Sequence, residues 1–280
     1  MCTADDKVTL VVLTAIDVEY LAVRERLSQV RRHNHPAGTV FETGLLPGGA
    51  GRIALTVTGV GNAGAAILAE RAIAMFEPAA VLFIGVAGGL DADLELGDLV
   101  VATKVYAVHG GREEHDGFHP RPRSWDASHH LEQIARHVAR AGWWKTLLAT
   151  EPGSEAPRVV FRPIAASEVV LNCRTTRLSE QLRRNYGDAA AIDMESGGVY
   201  LAGHLNHRLP VLTVRGISDL ADGAKSVMDS MGWQAVAAGN AAALGLAIAA
   251  DLCSEKRRTG SAAGPALPRR QESPRAPGTN

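Results

Sequence analysis

The 280-residue chain is long enough for one large α/β domain or two small ones with a sizeable buried core. A hydrophobic fraction of 46%, a charged fraction of 21% and a net charge of -1 are typical of a soluble globular protein and give no electrostatic argument for nucleic acid. The three cysteines are widely spaced and form neither a metal-type pattern nor a CxxC motif. The N-terminus is polar and acidic, unlike a secretory signal, and no apolar run reaches the ~20 residues needed to cross a bilayer. We expect a cytoplasmic protein with no metal, no nucleic acid and no membrane as partners.

Apolar, β-branched runs alternate along the chain with segments of helical spacing. In chain order they predict strand 8–13, helix 18–27, strand 52–58, helix 63–76, strand 80–85, strand 98–105, helix 128–144, strand 159–165, helix 179–185, helix 194–205, strand 210–216 and helix 239–252. Residues 109–125 have no clear period and are predicted to form a long loop. The alternation predicts an α/β fold with a largely parallel or mixed sheet.

The end of the chain differs from the rest in composition. Residues 254–280 hold six Lys/Arg and two Glu, a net charge of +4 that leaves -5 for the remainder, and they are rich in Pro, Gly, Ser and Ala. We predict a domain over 7–253 followed by a disordered basic tail over 254–280. A solvated tail is favoured over one that binds an anionic partner.

Two glycine-rich segments each follow a predicted strand. Residues 59–64, GVGNAG, have the GxGxxG spacing of a dinucleotide site, but no acidic residue ends a second strand about 20 residues later. We interpret this segment as a tight turn between a strand and a helix. In residues 85–89, GVAGG, the glycines either let backbone N–H groups approach a ligand or serve turn geometry alone.

Three acidic residues, Glu19, Glu195 and Asp219, lie at or just past the ends of predicted strands. Each alone is more often a helix cap or a surface group. In an open α/β sheet, however, ligands bind in the crevice outside the carboxyl ends of the strands. Like charges that converge there cost stability unless they serve a purpose. The pattern predicts an enzyme that acts on a sugar-bearing small molecule, with carboxylates for acid/base work and for holding hydroxyls.

Other catalytic patterns receive little support. GxSxG, Walker A and zinc-knuckle spacings do not occur. The 109–125 segment contains three histidines near acidic residues, but without an HxxxH pair on a helix or a supporting Cys a solvated loop is favoured over a metal site. Its arginines offer an alternative contact for phosphate: Arg112, Arg121 and Arg123.

Four segments, in this order along the chain, resemble the nucleoside phosphorylase/nucleosidase superfamily, and within it the 5′-methylthioadenosine/S-adenosylhomocysteine nucleosidases. They are LTAIDVE at 13–19, GVAGGL at 85–90 with LGDLV at 96–100, IDME at 192–195 and VRGISDLAD at 214–222. The resemblance implies a single three-layer α/β domain with a central mixed β-sheet flanked by helices. It also implies no cofactor, and a homodimer or larger homo-oligomer in which a neighbouring subunit helps to cover the 5′ side of the substrate.

The resemblance also implies a role for each residue of the matching segments. Asp219 would be the general acid that protonates a purine at N7, with Ser218 orienting it. Glu195 would hold the ribose hydroxyls, and Met194 would pack on the sugar.

The nucleophile and the base edge follow from the same resemblance. Glu19 would act on the attacking water, which Arg215 would help to position. The remaining substrate-binding positions are the backbone of Val170 and Leu171 at the base edge and the glycine-rich segment: Val86, Ala87 and Gly88. Val86 replaces a Ser that is usual in these nucleosidases, and Val170 replaces a base-stacking Phe.

The implied chemistry suits these residue types. Cleavage of an N-glycosidic bond builds positive charge on the ribose, and the base leaves as an anion unless it is protonated, so a positioned acid contributes about 10²–10⁴-fold in rate. Asp17 and Glu19 after the first strand would repel phosphate, which favours water as the nucleophile. We therefore predict a hydrolase that releases adenine from a 5′-substituted adenosine. The alternatives are a phosphate-dependent purine nucleoside phosphorylase, an AMP or ATP nucleosidase, and a purine-sensing module without catalysis.

Overall fold

The computed structural model describes residues 7–115, 117–149 and 155–262. Within these ranges the strands are β1 (Val8–Thr14), β2 (Ser28–Asn34), β3 (Val40–Leu45), β4 (Arg52–Val57), β5 (Val81–Gly89), β6 (Leu99–Ala107), β7 (Gly111–Glu114), β8 (Gly117–Pro120), β9 (Arg123–Asp126), β10 (Val159–Ala166), β11 (Ala191–Asp193) and β12 (Val211–Asp219). The α-helices are α1 (Asp17–Arg24), α2 (Asn62–Phe76), α3 (His129–Ala141), α4 (Arg177–Asn185), α5 (Ser196–Leu205), α6 (Lys225–Ser230) and α7 (Trp233–Ala262).

A ten-stranded mixed sheet forms the centre of the fold. Its order is β11-β10-β6-β12-β5-β1-β4-β3-β2, with β9 paired to β6 and β11 also paired to β5. The strands β4, β1, β5 and β12 run parallel to one another, whereas β6 is antiparallel to β12. The carboxyl ends of β1, β5 and β12 therefore meet at one edge of the sheet.

Helices cover both faces of this sheet. Because successive side chains of a strand point to opposite faces, Leu10 and Val12 of β1 pack under α1, α3 and α7. Val11 and Leu13 of the same strand pack on the other side with α2 and α5. The predicted three-layer α/β domain with a central mixed sheet is confirmed.

The six predicted strands correspond to β1, β4, β5, β6, β10 and β12. The long loop predicted over 109–125 is wrong, because β7 and β8 form an antiparallel hairpin there and β9 pairs with β6. The sequence analysis also missed β2, β3 and β11. All four residues of β7 are exposed, and β2 is polar and mostly exposed, so neither has the apolar pattern that marks a buried strand.

Several helix ends also differ from the prediction, and two of the differences have a clear physical reason. The helix predicted over 128–144 ends at Ala141, because Gly142 adopts φ 72° as a left-handed C-cap. The last helix begins at Trp233 and continues to Ala262, so it is longer than the predicted helix over 239–252 and extends into the segment predicted as a tail. Glu, Lys and Arg at 255–258 are good helix formers, and Glu255 pairs with His130 of α3 at 3.1 Å. The rest of the predicted tail, 263–280, lies outside the described residues.

The segment from Trp233 to Lys256 within α7 is long and apolar enough to cross a membrane by length and composition. In this fold, however, 78% of its most apolar window is buried inside the protein. Its small residues, such as Ala241, Ala243 and Ala247, pack against the sheet without exposure. The apolar character of α7 is accounted for by its position in the core.

Candidate active site

A pocket of about 190 Å³ lies where β1, β5 and β12 end. Such a crevice is the usual ligand position in an open α/β sheet. Ten of the eleven residues that the sequence analysis selected line it: Glu19, Val86, Ala87, Gly88, Val170, Leu171, Met194, Glu195, Ser218 and Asp219. Arg215 is the eleventh, and it lies fully buried among the acidic residues of the pocket wall.

Glu19 is fixed by backbone groups at the start of α1. Its Oε2 accepts the N–H groups of Ala15 at 2.6 Å and Ile16 at 3.2 Å, and its Oε1 accepts the N–H of Val86 at 2.8 Å. The side chain is only 2% exposed. Burial raises the pKa of Glu19 because it disfavours the charged form, although the charge of Arg215 and the three N–H donors oppose the shift.

Arg215 connects three carboxylates behind the pocket. Its Nε and Nη2 lie 2.9 and 2.8 Å from Oδ2 of Asp193. Nη2 is 3.6 Å from Oε2 of Glu195, and Nη1 is 3.9 Å from Oε1 of Glu19. The guanidinium lies 3.9 Å above the ring of Phe83, which closes its other side. Nη1 and Nη2 are both buried, and neither makes a well-aligned hydrogen bond to any residue in the described part of the chain.

Gly85 makes room for this arrangement. A Cβ at this position would overlap Nη1 of Arg215 and lie 2.5 Å from Cδ of Glu19. The sequence analysis ended this strand at residue 85, but residues 86–89 continue β5, and residues 85–88 pair with β12. The lack of a side chain at Gly85 therefore serves the close approach of two charged groups and not a turn.

Asp193 and Glu195 are positioned by the start of α5 and by the turn before α2. Oδ1 of Asp193 accepts the N–H groups of Glu195 at 3.3 Å and Ser196 at 3.1 Å, and its Oδ2 accepts the Ser196 hydroxyl. Oε1 of Glu195 accepts the N–H of Gly61 at 3.1 Å. The predicted tight turn at 59–64 is confirmed. Gly61 has φ 106°, a backbone conformation that residues with a side chain rarely adopt, so this position of the turn requires glycine.

Burial raises the pKa of Glu195 from 4.5 to about 7, with the negative charge of Asp193 adding to the shift and Arg215 opposing it. A carboxyl with a raised pKa in the folded state binds its proton more tightly there than in the unfolded chain. The contribution of Glu195 to the free energy of unfolding is therefore complete below pH 4.5 and is lost as the pH rises to about 7.

Between pH 4.5 and about 7, we expect the free energy of unfolding of the Glu195→Gln variant to change less with pH than that of the parent protein. Urea unfolding at a series of pH values measures this. An unchanged pH dependence would contradict the raised pKa.

Asp219 is the last residue of β12 and faces the same pocket. Its Oδ1 accepts the N–H of Ala221 at 3.1 Å, and its Oδ2 lies 3.3 Å from the Ser218 hydroxyl and 3.1 Å from Nζ of Lys225. The side chain of Ser218 thus makes the contact expected of an orienting group. A Cβ at Gly88 would lie 3.0 Å from Oδ1, so this glycine gives Asp219 its space.

The segment that carries Val170 and Leu171 is anchored by His109. Nε2 of His109 accepts the N–H of Glu168 at 2.6 Å and lies 2.9 Å from the hydroxyl of Ser167. Val170 is 54% exposed at the pocket rim, whereas Leu171 is buried. His109, which the sequence analysis treated as part of a solvated loop, therefore supports the pocket wall.

The arginines considered for phosphate binding lie elsewhere. Arg112 forms an ion pair with Glu114 on the exposed β7, and Arg123 lines a separate groove with Tyr200 and His204. Among the described residues that line the pocket at the ends of β1, β5 and β12, none is an arginine.

The sequence analysis missed several residues that help to form the pocket. Asp193 lies in the IDME segment but was not selected, although the next two residues, Met194 and Glu195, were. Lys225 and Gln234 were not selected because no motif surrounds them, and only the folding of α6 and α7 over the end of β12 brings them to the pocket.

The fold and the pocket define this protein as a mixed α/β protein with an acid-rich ligand pocket at the ends of its strands. Sequence comparison identifies its family. The sequence model of the phosphorylase superfamily matches residues 9–250, so the chain belongs to that superfamily. It is 29% identical over 235 residues to the 5′-methylthioadenosine/S-adenosylhomocysteine nucleosidase of Mycobacterium tuberculosis, with 79% of this chain and 89% of the relative covered.

Solved structures have the same fold. The Neisseria meningitidis 5′-methylthioadenosine/S-adenosylhomocysteine nucleosidase in complex with methylthio-immucillin-A has a TM-score of 0.71 at 22% identity, over 87% of this chain and 99% of that one. The futalosine hydrolase of Helicobacter pylori has a TM-score of 0.72 at 21% identity, over 87% and 98%. At this level of identity the likeness concerns the fold.

Proposed function

We propose that this protein is a nucleosidase that hydrolyses the N-glycosidic bond of a 5′-substituted purine nucleoside and releases adenine. The observation that carries the proposal is the convergence of Glu19, Glu195 and Asp219 on one small pocket beside the buried Arg215. The relatives are named as nucleosidases of 5′-methylthioadenosine and S-adenosylhomocysteine. Cleavage of such a nucleoside involves three tasks, and we assign one to each of the three acids.

Departure of the base is the task assigned to Asp219. As the bond between C1′ and N9 weakens, electron density moves onto the purine and N7 becomes basic. A proton delivered at N7 lets the base leave as a neutral molecule. Ser218 and the N–H of Ala221 hold both carboxylate oxygens in place, so the acid is already oriented when the substrate binds.

The ribose and the nucleophile are assigned to the other two acids. Glu195 accepts hydrogen bonds from the ribose hydroxyls, and its charge stabilises the positive charge that develops on the sugar. Glu19 acts as the general base on a water that also accepts a hydrogen bond from Nη1 of Arg215, which makes no hydrogen bond of its own within the described part of the chain. Because burial raises the pKa of Glu19, it accepts a proton near neutral pH more readily than an exposed Glu does.

Water is favoured over phosphate because of the charges around the pocket. Glu19, Asp193 and Glu195 surround the single guanidinium of Arg215, and Asp193 already contacts two of its nitrogens. A phosphate dianion at this position would meet an excess of negative charge, which is unfavourable at short range in a buried site. The same argument disfavours a substrate that carries phosphate close to these acids.

The test is incubation of the purified protein with 5′-methylthioadenosine, S-adenosylhomocysteine, futalosine, adenosine and AMP, each with and without inorganic phosphate. We expect free adenine and a free 5-substituted ribose at a rate that phosphate does not increase. A ribose 1-phosphate product would establish a phosphorylase instead. Binding without release of base from any substrate would favour a purine sensor.

We also propose that the protein acts in the cytoplasm without nucleic-acid or membrane partners.

We further propose that it works as a homodimer or larger homo-oligomer. The exposed apolar side chains of Val60, Ile67 and Leu205, on or next to the adjoining helices α2 and α5, support a contact between copies. Sedimentation analysis of the purified protein tests this, and a monomer at micromolar concentration would contradict it.

A further inference from the structure

Lys225 is a cation in the pocket for which the proposed mechanism has no role. Its Nζ lies 3.1 Å from Oδ2 of Asp219 and 3.7 Å from Oδ1 of Asp229, and its side chain is 27% exposed. Two elements pack against α6, on which it lies. Strand β12 contributes Asp219 to the surroundings of this ammonium group, and α7 contributes the uncharged Gln234 to the same pocket.

The contacts of Asp219 raise the question of where its proton comes from. Oδ1 faces the N–H donor of Ala221, and Oδ2 faces two donors, the hydroxyl of Ser218 and the ammonium of Lys225. Donors at both oxygens are the environment of a carboxylate that has no proton of its own. Lys225 has only donors, so the mobile proton of the pair is on its nitrogen.

We propose that Lys225 supplies, through Asp219, the proton that the departing base takes. This inference rests on the function proposed above. Oδ2 of Asp219 first receives a proton from Nζ of Lys225. When the bond between C1′ and N9 then breaks, its electron pair stays with the purine, and N7 takes that proton from Asp219. Lys225 becomes a neutral amine and Asp219 ends as the carboxylate it was at the start. Water forms the new bond to C1′ and gives its proton to Glu19. Afterwards Glu19 releases this proton to solvent, and Lys225 takes one up from solvent.

The proposal distinguishes a lysine from any other cation. An arginine at this position would retain the charge beside Asp219, but a guanidinium does not release a proton in proteins. A methionine would retain most of the side-chain length and remove both the charge and the proton. In this proposal Lys225 does not contact the base but acts on it through Asp219, so it is a positioning residue. An experiment that tests this role must measure a quantity that a change in charge or packing alone would leave unaltered.

The first experiment measures kcat for adenine release from the best purine nucleoside by the full chain and its variants. We expect Lys225→Met to lose about 10²-fold or more at neutral pH, within the range of proton-transfer catalysis, and Lys225→Arg to show no recovery. Asp229→Asn is the matched control and should stay within a few-fold of the parent. Recovery by Lys225→Arg, or full activity of Lys225→Met, would overturn the proposal.

The second experiment uses a p-nitrophenyl riboside with the same 5′ substituent, whose leaving group needs no proton. We expect Lys225→Met to cleave it within a few-fold of the parental rate. An equal loss on both substrates would mean that Lys225 serves folding or binding, and the inference would be rejected. A parent protein that cleaves neither substrate would reject the proposed function itself, whereas an active parent with unaffected Lys225 variants would reject only the inference.

Discussion

Replacing Asp219 by Asn is expected to lower kcat/KM for release of the base by about 10²–10⁴-fold, the usual contribution of a positioned general acid. An amide has the shape of the carboxyl group but cannot pass a proton to N7. The contacts of Ala221 and Ser218 with the side chain keep it oriented, so the loss reports on chemistry more than on structure. The measurement is the initial rate of adenine release from 5′-methylthioadenosine.

The matched control is Asp222→Asn, three residues further along the chain. Asp222 is exposed, and its Oδ1 accepts the N–H of Ala224 at 3.1 Å, a bond that an Asn oxygen can also accept. We expect the control to retain the parental rate. Parental activity of the Asp219 variant would remove the basis for the mechanism, since no other residue has been given the task of protonating the base.

Replacing Arg215 by Met is expected to lower the free energy of unfolding by about 3–5 kcal/mol, as is typical when one partner of a buried ion pair is removed. Arg215 is fully buried, and its loss leaves Glu19, Asp193 and Glu195 without a compensating cation. Urea unfolding at neutral pH measures the change. The loss should be smaller at low pH, because protonated carboxyl groups no longer repel one another and do not need the cation.

Arg184→Met provides the comparison for an exposed arginine. Arg184 pairs with Glu180 at 3.0 Å on α4, and its side chain is 74% exposed. Exposed pairs of this kind contribute about 0–1 kcal/mol, so we expect a small change. If the Arg215 variant were no less stable than the Arg184 variant, the three acids would not depend on the guanidinium, and their protonation states would have to be assigned anew.

Much of the fold follows from local patterns. The β-branched runs that became β1, β5 and β12 are buried on both faces, so their residues are apolar almost without interruption and easy to recognise. Two of the strands that escaped prediction, β2 and β7, have few buried side chains, and their backbone pairing is decided by neighbouring strands. The α7 prediction was too short because charged residues with high helix propensity extend it past the apolar region.

The positions of Glu19 and Asp219 were visible in the chain, since Glu19 follows the first apolar run by a few residues, Asp219 follows a later one, and parallel strands bring such ends together. Glu195 follows β11, a strand that the sequence analysis did not predict. The environment of the three acids was not visible. The pairing of β12 with β5 places Arg215 beside Gly85, and burial in that arrangement raises the pKa of Glu19 and Glu195. Lys225 reaches Asp219 only because α6 folds back over the end of β12. Order along a chain determines which side chains reach a sheet edge, whereas charge and protonation depend on distances and solvent exclusion that arise only when distant segments pack.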